Sequence, residues 1–335
     1  MSKKITIKDI ATALNIHHST VSRALRNDSR VKEETRKMIS AYADEHGYQT
    51  NMIALELRGE KRNTIAIIVP NINHQFFSNI VSYITNQASD SGFVVSIFQS
   101  NETYQQEKNI IDTIIQFNFA GVIASLSMES VDGLHFNKFK KHNIPLVMFD
   151  RVSDDINVSK VVINNAEVLQ DAVELLVNKG YNRIAHISGP PHLNVFGERQ
   201  RGYKLAVKQF KLDYEKIITV NKGFSMEDGK VIYDKLFSDT ITPNAIISDS
   251  SVLIYGLIEE LRKKKIKIPS DVALMAFGEN SIMEIIEPAI TSIVQPDGEI
   301  ATTAYNLLLK KIKGKSDNRT ETIMLSATIK VRESI

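Results

Sequence analysis

A run of side chains suited to hydrogen-bonding a polyanion lies close to the N-terminus. His17, His18, Ser19, Thr20, Ser22 and Arg23 follow one another, with Asn27 and Arg30 just beyond, and the only acid in that run is Asp28. Arginine forks pair with guanine, and small hydroxyl and amide side chains reach base edges or phosphates. A helix presenting this set therefore fits the major groove of duplex DNA. The elements that must position it span Ile5 to Leu25. Thr6 with Asp9 three residues later is a capping box, which predicts a helix from Ile7. Ile10, Ala11 and Leu14 form one apolar stripe. Asn15-Ile16-His17 breaks the helix, since Asn tolerates turn geometry. A second helix then turns Val21, Ala24 and Leu25 inward and leaves His18, Ser19, Ser22, Arg23 and Arg26 outside. The pattern by itself fits an ordinary helical hairpin with a polar face equally well.

A second set of chemically capable residues sits at the ends of apolar runs. Ile65 to Val69, closed by Pro70, has the continuous hydrophobicity of a buried parallel strand. Helical stretches at 77–91, 104–118 and about 132–142 alternate with strands at 93–98, 121–125 and 145–149. A second such series starts near Asn164, with helices at 166–179, 197–210, 226–236 and 251–264. Its strands fall at 184–188, 218–220, 245–248 and 272–277, and segments 291–294, 300–312 and 321–331 complete it. This alternation predicts doubly wound parallel sheets. Arg183-Ile-Ala-His-Ile-Ser-Gly189 echoes Thr64-Ile-Ala-Ile-Ile-Val-Pro70, so two similar lobes are expected side by side. Open α/β sheets bind ligands beyond the carboxyl ends of their strands. The candidates there are Asn71, His74, Phe76, Phe77, Ser125, Asp150 and Arg151 on the first lobe. On the second they are Arg199, Phe224, Ser248, Asp249, Gly278, Glu279 and Asn280. Aromatic rings and charged hydrogen-bonding groups suit a small polyhydroxylated ligand.

Composition narrows the field. The chain has 335 residues, enough for two or three domains, and no cysteine, which excludes disulfides and thiolate metal sites. No apolar run could span a bilayer, and the basic N-terminus lacks the apolar segment of a signal peptide, so a cytoplasmic protein without membrane contact is expected. Net charge is +2, but residues 1–62 hold 12 Lys/Arg against 8 Asp/Glu, while the remainder holds 29 against 31. The positive excess falls where a phosphate-binding module needs it. Gly314-Lys315-Ser316 lacks the earlier glycine of a phosphate loop. Catalytic and dinucleotide motifs are missing, and the eight histidines do not cluster at metal-ligand spacing. No enzyme, cofactor or metal is expected.

Residues 5–26, with Thr20-Val21-Ser22-Arg23 opening the second helix, resemble the DNA-binding headpiece of lactose-repressor-type (LacI/GalR) regulators. The resemblance continues through Val31-Lys32-Glu33-Glu34-Thr35-Arg36 and Gly47-Tyr48 to the last strand. It implies an all-α helix-turn-helix headpiece, residues 1–48, with a third helix from about Glu33 to His46 that turns Met38, Ile39, Tyr42 and Ala43 inward. A hinge helix and linker, 49–62, would follow, then a periplasmic-binding-protein-like α/β effector and dimerisation domain, 63–335. The N-lobe would take about 63–162 and 290–324, and the C-lobe about 163–289 and 325–335, with crossings near Val162, Ala289 and Met324. The DNA-contacting set implied is Thr6, His17, His18, Ser19, Thr20, Ser22, Arg23, Asn27 and Arg30, with Asn51, Ala54 and Leu57 in the hinge. Leu57 matches the leucine that wedges into the minor groove. Arg199 matches the arginine that grips the effector, and Asp150 an effector-contacting acid.

Departures from the family pattern matter. Lys32 stands where a capping Ser is usual, Thr50 where Pro is, and Leu55 where Arg is. Gly278 replaces a sugar-binding Asp, and Ser248 a common Asn. A standard neutral hexose is therefore less secure; a sugar acid, an oligosaccharide breakdown product or a phosphorylated metabolite stay open, since Arg199, Arg151 and His74 could face an anion. The expected protein is a regulator, in the family most often a repressor, of a carbohydrate operon. It would bind double-stranded operator DNA as a homodimer under control of a sugar-like or sugar-acid effector. A protein partner or a phosphorylated metabolite is the alternative controller. The chain ends just past its final strand without a heptad tail, which favours a dimer.

Overall fold

The computed structural model describes residues 5–25, 27–48, 63–314 and 319–335. They fall into two units, Met1–Lys61 and Arg62–Ile335.

In the first unit three helices, α1 (Ile7–Ala13), α2 (His18–Ala24) and α3 (Glu33–Glu45), close on one small core. Ile10, Val21, Ala24 and Ile39 are fully buried in it, with Ala11, Val31 and Ala43 beside them. Helices this short are marginal alone, and their mutual apolar faces hold them. The capping box forms as the spacing predicts: the Thr6 hydroxyl accepts from the Asp9 N–H and the Asp9 carboxylate accepts from the Thr6 N–H. Asn15 takes the left-handed conformation, φ +51°, that the break between α1 and α2 requires. Lys32 precedes α3 without a side-chain cap, and Glu33 and Glu34 sit in its first turn. Met38 is a correction: it is 46% exposed, because only the Ile39–Ala43 edge of α3 meets the other two helices.

The second unit holds two six-stranded sheets of the same strand order. The first runs β11-β5-β4-β3-β1-β2, wholly parallel, from β1 (Thr64–Val69), β2 (Val94–Gln99), β3 (Gly121–Ala124), β4 (Leu146–Phe149), β5 (Ser159–Ile163) and β11 (Thr322–Leu325). The second runs β12-β10-β9-β8-β6-β7, from β6 (Ile184–Ser188), β7 (Lys216–Thr219), β8 (Ala245–Ser248), β9 (Ala273–Phe277), β10 (Thr291–Val294) and β12 (Thr328–Lys330). Only β12 pairs antiparallel. The two echoing sequence runs are β1 and β6, each second from its sheet's edge. Ile65 to Val69 and Ile184 to Ser188 are buried on both faces, as parallel strands covered by helices must be.

Strand pairing corrects the expected crossings. β10 pairs with β9 in the second sheet, so residues 291–294 belong to the second lobe. The long helix that follows, Asp297–Ile312, packs on β3, β4 and β5 of the first. The chain passes between lobes near 164, 295–296 and 326–327. β5 is a strand that sequence periodicity misses, and the single segment expected at 321–331 is two strands in different sheets. Helix Asn194–Gln209 begins a turn before the expected Gly197, and a short helix Ser281–Ile285 was not anticipated.

Candidate functional site

On the small unit, His17 caps α2: its Nδ1 accepts from the Ser19 N–H at 3.3 Å and lies 2.8 Å from the Ser19 hydroxyl. The His18 ring leans on the His17 ring, centroids 4.2 Å apart. His17, His18 and Arg23 are exposed, and Ser19 and Thr20 half-buried, which gives a compact donor-rich face at the start of α2. Thr6 and Asn27 are exposed beside it, Asn27 in the left-handed region at φ +54°. Ser22 departs from the expected outer face. It is 8% exposed, because α1 and α3 both pack on this short helix and widen its buried arc. Arg30 also differs. Its guanidinium forks onto Asp28, with Nε–Oδ1 2.9 Å and Nη2–Oδ2 2.6 Å. The hydrogen bonds from Arg30 hold the Asp28 carboxyl well below the usual range. Arg26, Asn51, Ala54 and Leu57 lie outside the described residues.

On the large unit, a cleft of about 460 Å³ opens between the two sheets' carboxyl ends, a size that suits a small ligand. Helix Gln75–Asp90 brings His74, Phe76 and Phe77 to it from the end of β1. The turn after β4 brings Asp150 and Arg151. The early first turn of helix Asn194–Gln209 brings Val195, Phe196 and Arg199. Phe224, Asp249, Glu279 and Asn280 complete the second-lobe wall.

Arg199 is clamped. Its guanidinium carbon lies 3.5 Å from the centroid of the Phe277 ring, its Nε donates to Asn165 Oδ1 at 2.8 Å, and its Nη1 is 3.5 Å from Asp249. Asp249 in turn meets His186 Nε2 at 3.1 Å and accepts from the Ser188 hydroxyl at 2.6 Å. Burial opposes charge on Asp249, yet His186, Arg199 and Ser188 together hold its carboxyl below the ordinary range. Arg151 pairs with Glu102 at 2.7 Å and stacks near Phe77 and Phe196. Burial, with Arg151 adding to it, draws the His74 imidazole down, so it is neutral near pH 7. Glu279 lines the cleft but is engaged by Arg332, Lys330 and Ser292. Burial works against its charge, and those bonds still bring it to about 2.

Asp150 and Asp297 differ from these groups. Asp150 adopts φ +57° and its backbone is pinned from the other lobe: Asn194 Nδ2 donates to the Asp150 carbonyl at 3.0 Å, and Asn194 Oδ1 accepts from the Val152 N–H at 2.8 Å. Burial raises its carboxyl pKa despite Arg151 and Arg199 nearby. Asp297 accepts from Asn79 Nδ2 at 2.8 Å. Burial and then the charge on Asp150 push it up to about 6, against the pull of that hydrogen bond.

Three expected wall residues fall elsewhere. Ser125 is fully buried behind Arg151, whose N–H points at its hydroxyl. Ser248 is fully buried and spends its hydroxyl on its own turn with Ser250. Asn71 turns back to accept from the Asn73 N–H. Sequence reading missed Asn79, Phe196, Gln295 and Asp297. The signal for the last two was Gln295-Pro296-Asp297-Gly298, a loop closing directly onto a helix. Among the described residues no group of three or more His, Asp or Glu is placed to hold a metal.

Comparison with known proteins gives matches to both units. Residues 6–51 match the model of bacterial regulatory proteins of the lacI family, and residues 173–335 that of a periplasmic binding protein-like domain. The HTH-type transcriptional repressor CytR of Escherichia coli strain K12 is 29% identical, over 92% of this chain and 90% of its own. The probable HTH-type transcriptional repressor ExuR of Bacillus subtilis strain 168 is 27% identical, over 99% and 98%. The Lac repressor dimer bound to operator and the anti-inducer ONPF superposes with a TM-score of 0.87 at 19% identity, over 99% of each chain. The transcriptional regulator CelR in complex with cellobiose gives 0.74 at 23% identity, over 99% and 100%. At those identities the likeness to solved structures is one of fold.

Proposed function

Since the chain belongs to the LacI family of bacterial regulatory proteins, we propose that it represses a carbohydrate-utilisation operon and that a small carbohydrate-derived effector in the inter-lobe cleft sets its DNA affinity. The protein is a DNA-binding transcription regulator rather than an enzyme, as its full-length relatives are. In this reading a homodimer meets a pseudo-palindromic operator, each α2 entering the major groove with His17, His18, Ser19, Thr20 and Arg23. Ser22 acts by holding α2 on its neighbours. Arg30 must exchange Asp28 for phosphate to take part. Leu57, with Asn51 and Ala54 ahead of it as further contacts, wedges the minor groove by resemblance to the family.

The observation that carries the effector reading is the clamped guanidinium of Arg199. It is a rigid planar fork on an aromatic ring, opening into a ligand-sized cleft opposite Asp150. Effector binding shifts the population of lobe arrangements, and the shift reaches DNA by linkage. Among the described residues no helix is long and apolar enough to cross a membrane.

Calorimetry with a panel of sugars and their derivatives tests the cleft. Heat that disappears in Arg199→Ala supports it, and heat only with a protein partner rejects it. For the DNA side, Leu57→Ala should weaken specific binding far more than binding to random duplex. Equal losses would remove the wedge assignment. Specific affinity should also fall steeply with salt.

A further inference from the structure

We propose that the ligand of the cleft is a sugar-sized polyol carrying a protonated amine, received by Asp150 and Asp297. This deepens the cleft reading above and rests on it. Charge pairing around the cavity carries the inference. Each cation in the wall already has its own acid: Arg151 has Glu102, and Arg199 has Asp249. Glu279 has Arg332 and Lys330. Once these pairs are formed, Asp150, Asp297 and the exposed Glu299 remain, none of them in an ion pair among the described residues, and of the three only Asp150 and Asp297 are withdrawn from solvent.

The Asp150 carboxylate is on a residue only 9% exposed. The Gln295 amide faces it, but its nitrogen is buried without reaching hydrogen-bond geometry. Asp297 meets only neutral donors, Asn79 on the helix packed against it and a backbone N–H of its own turn. The other groups facing this pair are Tyr83 and neutral His74 from that helix, Glu299 from Asp297's own helix, and the two spent arginines. Two half-desolvated carboxylates that repel one another lack what an ammonium supplies: a positive charge and several N–H donors. Phe76 and Phe224 line the same cleft and are aromatic surfaces that neither arginine covers, suited to lie beside such a cation. The raised carboxyl pKa values of both acids agree with an unmet demand for a counter-charge. A ligand bearing a carboxylate or phosphate would instead meet two acids and no uncommitted cation.

The test is titration calorimetry of the full-length protein at about pH 7, above the value of Asp297 and below the range in which an amino sugar loses its proton. The probes are matched trios: glucosamine, glucose and glucuronate, then galactosamine, galactose and galacturonate. In the trio that fits the cleft, the amine should bind about tenfold tighter than the neutral sugar, the worth of one charge-assisted hydrogen bond, and the acid weakest. In isosteric Asp297→Asn, shown folded by its melting curve, that amine-to-neutral ratio should collapse toward one. Tighter binding of a neutral sugar or an acid than of its amine overturns the inference and leaves the cleft reading standing. An amine preference unchanged in Asp297→Asn also overturns it. Heat from none of the six overturns both.

Discussion

The two walls of the cleft are built on opposite electrostatic plans. On the second lobe, Arg199, Asp249, His186, Ser188 and Asn165 form a connected network in which the charges are paired, although His186 Nδ1 is buried without a partner. On the first lobe, Asp150 and Asp297 answer one another only by repulsion. A wall whose charges are satisfied can hold a shape without ligand, while one left with unpaired acids is most stable when something arrives to neutralise it.

Breaking the paired wall should have the largest effect. Arg199→Ala uncovers the buried Asp249 and strips Phe277, at a cost of about 3–5 kcal/mol in thermal or denaturant unfolding, together with loss of any ligand response. Operator affinity at low temperature should stay near wild type. Relieving the unsatisfied wall should do the reverse. The folded-state value of Asp297 is raised to about 6, so its ionisation costs stability, and that cost appears as pH rises from about 4 to about 6. Asp297→Asn should therefore stabilise the ligand-free protein by about 1–2 kcal/mol above pH 6, after allowance for solvent screening, and give no gain near pH 4. Melting temperatures across that range decide it, and a flat difference would mean the acid is not under stress. Asn194→Ala removes both tethers on the 150–152 backbone and should cost about 1–2 kcal/mol while loosening ligand binding. Thr6→Ala, remote from the cleft, should cost the small unit about 1 kcal/mol and leave the cleft's calorimetry untouched.

Much of this was legible in residue order. Thr6 and Asp9 announce the first helix, Gly47 ends the third with φ +65°, and the twin runs at 64–70 and 183–189 announce two like lobes. What escaped notice has physical causes. Gly197 reads as a helix start, yet it lies inside the helix where a Cβ would come within 2.7 Å of the Pro191 carbonyl, so the turn carrying Phe196 was overlooked. β5 is short and carries Ser159 and Lys160, which hides its burial. Arg199 and Arg151 read as anion receptors because sequence shows a cation but not the acid folded beside it. Asp297 was invisible for the converse reason: the helix was expected to begin at Ile300, and only the fold brings that carboxylate within reach of Asp150's field. Helical spacing places Ser22 outward because it gives a face, not the width of the groove that the helix enters.

Asn164 and Asn165 are neighbours with different duties. Asn164 joins two of the three inter-lobe passages, its N–H donating to the Leu325 carbonyl and its side-chain oxygen accepting from the Ala327 N–H, while Asn165 restrains Arg199. The arginine proposed to meet the ligand is thus fastened one residue from a passage between the lobes. A shift of Arg199 would therefore be felt, through two adjacent asparagines, at the chain segments that join one lobe to the other.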